Sequence, residues 1–194
     1  MKVERFTADN AALLLIDHQV GTMSWVKSIP LDELKRNVLL LAKTARILKL
    51  PVVLTSSMED HAQGPLMSAL GPILPDAFAA RIKRVGIVNA VDDENFAAAV
   101  KSTGRNKLII AGVTNDVCTV FPVLSLAREG FDVQVVADAG GSPSKMADDM
   151  ALRRMERAGV TLTSTNQLVA ELVGNWTTPE GSQIVQVMME TMQA

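Results

Sequence analysis

The stretch AALLLIDHQ, residues 11–19, sets six apolar residues (Ala11–Ile16) directly before Asp17, His18 and Gln19. Its apolar half shows no alternation, the pattern of a strand covered on both faces. The pattern returns in LPVVLT (Leu50–Thr55), more weakly in VGIV (Val85–Val88), and then in KLIIAGV (Lys107–Val113), DVQVVA (Asp132–Ala137) and GVTLTS (Gly159–Ser164). Between these runs the apolar spacing becomes helical. In Leu31–Leu50 the positions Leu31, Leu34, Val38, Leu41, Ala45 and Leu48 step by three and four. Asp93–Thr103 begins acidic and stops at Gly104, and a stripe through Val117, Val120, Phe121 and Leu124 stops at Gly130. Met146–Arg157, Asn166–Leu172 and Gln183–Met192 complete the set. Repeated strand–helix alternation predicts an α/β fold of three layers: a doubly wound, mainly parallel six-stranded sheet in the order 3-2-1-4-5-6.

No internal repeat or linker divides the chain, so residues 1–194 read as one domain. The last helix, about 180–193, either pads its own sheet or docks on a neighbouring subunit. Ser57–Ala80, with Gly64, Pro65, Gly71, Pro72 and Pro75, is the one long irregular region: either a solvated connection with one short helix or a functional loop.

Composition removes several classes of function. With 194 residues, 48% hydrophobic and 21% charged, the chain is of ordinary globular type. Lys and Arg number 19 against 21 Asp and Glu, a net charge of −2 without a basic cluster, so no nucleic-acid partner is expected. A single cysteine permits no internal disulfide and favours a reducing compartment. MKVERFTADN lacks the apolar core of a signal peptide, and no apolar run approaches the about 18 residues of a membrane span. The expectation is a soluble cytoplasmic protein without a membrane partner.

Open α/β sheets bind ligands beyond the carboxyl ends of their strands, where the strand order reverses. For the order above, that point lies between the first and fourth strands. Asp17-His18-Gln19 follows the first, and Gly112-Val113-Thr114-Asn115-Asp116-Val117-Cys118 follows the fourth. A strand-end Asp17 either caps a turn or acts as a general base with a raised pKa. Cys118 falls in the first turn of a helix, where free N–H groups lower a thiol's pKa; its plain alternative is a small buried apolar residue. Pro122 requires that this helix start later or bend in its first turns. His18 and His61 stand at no metal-ligand spacing, and neither nucleotide-binding glycine fingerprint occurs, so no metal and no cofactor are expected.

At these residues the sequence resembles the isochorismatase-like cysteine hydrolase superfamily. The motifs are LLLIDHQ (Leu13–Gln19), RIKRVGIVNA (Arg81–Ala90), IIAGVTNDVC (Ile109–Cys118) and GFDVQVVADA (Gly130–Ala139), in family order across roughly residues 8–175. EDHAQGP (Glu59–Pro65) and Arg84 resemble its YcaC-like branch of uncharacterised hydrolases. The resemblance implies a catalytic triad of Asp17, Arg84 and Cys118. It also implies a cis peptide between Val113 and Thr114, with the backbone at Val113, Thr114 and Cys118 serving an oxyanion. Most of the superfamily carries Lys at the cation position, and Lys83 adjoins Arg84, so the cation is one or the other. The metal-binding pattern of the nicotinamidase branch is absent from Thr55-Ser56-Ser57-Met58, and isochorismatases proper lack the cysteine. Gln19, Trp25, His61 and Asn115 are candidate substrate-binding residues. The expected activity is hydrolysis of a small-molecule amide or carbamoyl C–N bond through a thioester, in a homo-oligomer. The competing class is a non-hydrolytic thiol redox or ligand-binding protein on the same fold.

Overall fold

The computed structural model describes residues 4–193. Its strands are β1 (Ala11–Ile16), β2 (Val52–Ser57), β3 (Ile82–Arg84), β4 (Lys107–Gly112), β5 (Asp132–Val136) and β6 (Thr161–Thr163). They form one parallel sheet in the order β3-β2-β1-β4-β5-β6. β1 is central because both its faces are apolar. Ala11, Leu13 and Leu15 enter the core on one side of the sheet, and Ala12, Leu14 and Ile16 enter the core on the other. The two-residue period of a strand makes that division. Truncating a fully buried member such as Leu14 to Ala costs about 2–5 kcal/mol through lost transfer energy and the cavity left behind.

The helices follow from the connections. α1 (Val20–Ser24) is a short turn beyond β1, and α2 (Leu31–Leu48) carries the chain back to β2. α3 (Leu70–Ile73) and α4 (Pro75–Ala79) interrupt the long β2–β3 connection. α5 (Glu94–Ser102), α6 (Val120–Arg128) and α7 (Lys145–Arg157) lead into β4, β5 and β6, and α8 (Thr165–Val173) and α9 (Pro179–Gln193) follow. α2, α8 and α9 bury residues such as Val38, Leu168 and Ile184 against one face; α5, α6 and α7 bury Phe96, Val123 and Met155 against the other. Crossovers therefore change face where the strand order reverses, which opens a crevice between the carboxyl ends of β1 and β4. Local chemistry fixes the helix starts. The Asp93 side chain accepts from the N–H groups of Asn95 and Phe96, a cap worth about 1 kcal/mol.

Two expectations need correction. The third strand is Ile82–Arg84, not Val85–Val88. Gly86, at φ +100°, breaks the extended run, and Val85 is 88% exposed, so those valines meet solvent rather than a covering helix. The long connection after β2 holds two short helices rather than one. The terminal helix α9 lies on its own subunit, with Ile184, Val187 and Met188 in the core shared with α2; the side chain of Met192 lies outside the described residues. Among the described residues no helix is long and apolar enough to cross a membrane.

Candidate active site

Asp17 closes β1 and is 1% exposed. It adopts a left-handed backbone (φ 56°), a strained choice for a residue with a Cβ that collects at functional sites. Facing it, at the carboxyl end of β3, stands Arg84, also buried. Its Nη2 donates to both carboxylate oxygens of Asp17 at 2.5 Å, Nε to Thr55 Oγ1 at 3.0 Å, and Nη1 to the Ile87 carbonyl at 2.6 Å. Thr55 Oγ1 passes its own proton to the Ile82 carbonyl at 2.9 Å. Every nitrogen of the guanidinium thus has a partner, the condition for a tolerable buried cation. Strand alternation sends Lys83 the other way: its Nζ meets Glu59 at 3.2 Å, largely in solvent. The buried cation beside Asp17 is Arg84.

Cys118 arrives from β4. A single π turn, Asn115–Thr119, precedes α6, closed by the Thr119 N–H on the Thr114 carbonyl at 3.0 Å. Pro122 is then the third residue of α6, in the first turn, where proline is tolerated. The later helix start is the one the structure adopts. Close packing sets the turn's position: a Cβ on Gly112 would stand 2.6 Å from Thr119 Oγ1, so this site admits no side chain. Asn115 anchors the turn, its N–H on the Gly141 carbonyl at 2.8 Å and its Nδ2 on Asp148 Oδ1 at 3.0 Å. The Val113–Thr114 peptide is cis.

The half-buried Cys118 thiol stands beside the Asp17 carboxyl and close to the Thr114 backbone. Burial raises the Asp17 carboxyl above its ordinary value, against the pull of Arg84. Burial also pushes the Cys118 thiol well up, and the charge and hydrogen bond of Asp17 add to it; the Thr114 backbone and Arg84 oppose the shift without cancelling it. The expected lowering of the thiol pKa by the helix start is therefore overturned. A local dipole is outweighed by desolvation and an adjacent carboxylate. Both shifts favour the neutral form of each group, and thiol and carboxyl stand side by side with Arg84 against the carboxyl.

A cavity of about 250 Å³ opens beside the sulfur, lined by Asp17, Arg84, Thr114, Asp116 and Cys118 and walled by Trp25, Met58, Ile87, Val88, Val117 and Pro143. Of the four candidate binding residues, only Trp25 lines it. Gln19 is buried: its Nε2 donates to the Ser57 and Gly64 carbonyls at 2.8 and 2.5 Å, and its Oε1 accepts from the Ser57 N–H at 2.8 Å. That clamp ties α1 to the β2–β3 connection. Asn115 is likewise consumed by the turn it anchors. His61 is exposed and borders a separate depression with Glu59 and Lys83. Val113 N–H is spent on the Ile16 carbonyl at 3.0 Å and is not free for an oxyanion. Thr22, Thr55 and Asp116 escape a sequence reading; of these, only Thr55 carried a signal, as the hydroxyl closing an apolar run. Among the described residues no three His, Cys, Asp or Glu side chains converge as a metal site.

A buried Asp–Arg pair beside a thiol thus stands at the switch point of a doubly wound α/β sheet. The isochorismatase domain model matches residues 11–167, and the chain belongs to that family. It is 43% identical to the probable hydrolase YcaC of Escherichia coli over 172 residues, 89% of this chain and 82% of that protein. Among solved structures, YcaC from Pseudomonas aeruginosa with hexane-2,5-diol and covalent acrylamide matches with a TM-score of 0.91 and 39% identity, covering 100% of both chains. The Escherichia coli YcaC structure, described as an octameric hydrolase of unknown specificity, matches with a TM-score of 0.89 and 38% identity, covering 100% of this chain and 98% of that one. Family and neighbours support a hydrolytic role.

Proposed function

We propose that this protein is a cysteine hydrolase that cleaves a small amide or carbamoyl C–N bond through a thioester. The observation that carries the reading is that one buried carboxyl, Asp17, stands beside the only thiol of the chain and bonds a fully partnered guanidinium. A carboxyl raised by burial is a better proton acceptor than a solvated one. Asp17 takes the thiol proton while Cys118 Sγ attacks the carbonyl carbon, and Arg84 compensates the negative charge now shared by sulfur and carboxyl. The backbone N–H groups of Thr114 and Cys118 receive the oxyanion, each well-placed donor being worth about 3–4 kcal/mol. Asp17 returns its proton to the nitrogen, and ammonia or an amine leaves. A water that gives its proton to Asp17 then cleaves the thioester, releasing the acid and restoring the thiol.

Acrylamide, bound covalently in the Pseudomonas aeruginosa protein, is a compact neutral amide that adds to nucleophilic side chains, which accords with this chemistry. A peroxide sensor needs an accessible, anionic sulfur, and burial and Asp17 disfavour both here. The octamer of the Escherichia coli relative supports a homo-oligomer for this chain also. The decisive experiment screens small amides for ammonia release with wild type and Cys118→Ala. Loss of release with an unchanged melting temperature is expected; full activity in Cys118→Ala overturns the mechanism.

A further inference from the structure

Two polar atoms of the cavity walls are buried without a hydrogen-bond partner among the described residues: Thr22 Oγ1 and Asp116 Oδ1. Thr22 is 3% exposed, so water from outside does not satisfy it. Thr119 Oγ1 and Asn115 Oδ1 are also unpaired, but they stand behind the wall. Orphaned polar atoms are uncommon in folded proteins, and two carried by residues that line one cavity point to an occupant that pairs them. Asp116 offers only acceptors, so the occupant must bring a donor.

The charges of the wall restrict that occupant further. Arg84 is the only basic lining residue among those described, and each of its nitrogens is already bonded to Thr55, Ile87 or Asp17. Two carboxyl groups, Asp17 and Asp116, face this one spent guanidinium. An anionic ligand would find no free cation and would meet a carboxylate. The remaining wall is largely apolar, and 250 Å³ is about eight times the volume of a water molecule in the liquid.

We propose that the cavity selects a compact amide bearing no carboxylate, with Asp116 accepting one of its N–H groups and the Thr22 hydroxyl bonding a second polar atom. Asp116 and Thr22 are then the specificity residues, and Asp116 rejects anions by repulsion as it attracts N–H donors. The reaction assigned to the ligand rests on the hydrolase reading, but the selectivity belongs to the cavity and is measurable without turnover.

Iodoacetamide and iodoacetate supply the test. They are nearly equal in size and differ in carrying NH₂ or a carboxylate oxygen, and Cys118 is the only thiol to label. Labelling rates are followed by intact mass, with 2-mercaptoethanol giving the intrinsic ratio of the two reagents. The wild-type preference for iodoacetamide should exceed the intrinsic ratio by about thirtyfold or more, the size of a repulsion between nearby charges in a partly buried site. Asp116→Asn should cut that excess about tenfold by speeding iodoacetate, Asp116→Glu should restore it, and Thr22→Val should slow iodoacetamide alone. A wild-type ratio equal to that of 2-mercaptoethanol, or an Asp116→Asn ratio equal to wild type, overturns the proposal. If Asp116→Asn does not fold, the wild-type ratio and Thr22→Val decide it. Ammonia release from propionamide and succinamate separates the two readings. Equal hydrolysis of both sinks the selectivity and upholds the hydrolase. Silence on every amide with the labelling preference intact sinks the hydrolase and upholds the selectivity.

Discussion

Replacing Asp17 by Asn removes two things at once: the acceptor of the thiol proton and the charge that keeps the thiol protonated. The consequences run in opposite directions. Turnover should fall about 10²–10⁴-fold with the loss of the base. Cys118, left beside Arg84 alone, should ionise at lower pH, so its iodoacetamide labelling profile should move toward acid. A profile coincident with wild type would remove Asp17 from the proton transfer. The two adjacent cations separate in the same way. Arg84→Met strands a buried carboxylate and should cost about 3–5 kcal/mol in urea unfolding, whereas Lys83→Met loses an exposed pair with Glu59 worth about 0–1 kcal/mol and leaves ammonia release unchanged. Equal losses in the two variants would contradict the assignment of Arg84. At this scale Asp17 was legible because it directly follows an apolar run, and Cys118 because it is the only cysteine and lies a few residues past the next such run at the switch point. The choice between Lys83 and Arg84 was not, since parity along a strand needs its first residue. Nor was the direction of the Cys118 shift, because burial and the Asp17 carboxyl, both brought by tertiary packing, outweigh the local helix start.

The connection after β2 is held down by one carboxylate. Glu59 accepts from Arg81 Nε at 2.8 Å and Nη2 at 3.1 Å, and from Ser56 Oγ at 2.8 Å, with Lys83 also near. These bonds, Arg81 foremost, hold its carboxyl down at about 2. A carboxyl lowered in the folded state contributes stability that is complete above its ordinary pKa and is lost as pH falls through the folded value. The contribution of Glu59 is therefore full above about 4.5 and declines toward about 2. Proteolysis of residues 58–65 should accelerate across that window in wild type. In Glu59→Gln the segment should already be more labile at neutral pH and change little on acidification; a wild-type profile flat through the window would dismiss the clamp. The ranges of the elements show why periodicity succeeds and fails. β1 and β4 are long and doubly covered, so composition alone marks them. β3 is a three-residue edge strand with too little apolar sequence to announce itself, and the nearby valines, which face solvent, supplied a stronger false signal.

For the molecule as a whole, acid should act first through His18. Its ring is fully enclosed, Nε2 donating to the Ala139 carbonyl at 2.8 Å, and burial depresses its pKa to about 4. Below its ordinary 6.5 the unfolded chain takes up a proton that the folded chain refuses, so stability falls as pH drops from about 6.5 to about 4, by about 3 kcal/mol in all. His18→Gln, which keeps a donor for Ala139, should flatten urea midpoints across that range; an unchanged slope would place the acid sensitivity elsewhere. The doubly wound order was legible at this scale because alternation of elements nearly determines it. The assembly was not, since a surface is recognised only after folding has chosen it. Around the cavity mouth Ile87, Val88, Trp25 and Val117 are 37%, 54%, 43% and 40% exposed, and Val85, on the neighbouring depression, is 88% exposed, an apolar surface of the kind that monomers seldom leave to water. Contact with further copies of the chain would cover it. Sedimentation should give the mass of several 194-residue chains for wild type, and Val85→Asp should shift it to smaller species while leaving circular dichroism intact, since Val85 supports nothing inside its own subunit. A wild type that sediments as one chain at all concentrations would leave that surface without a partner and the proposed assembly without support.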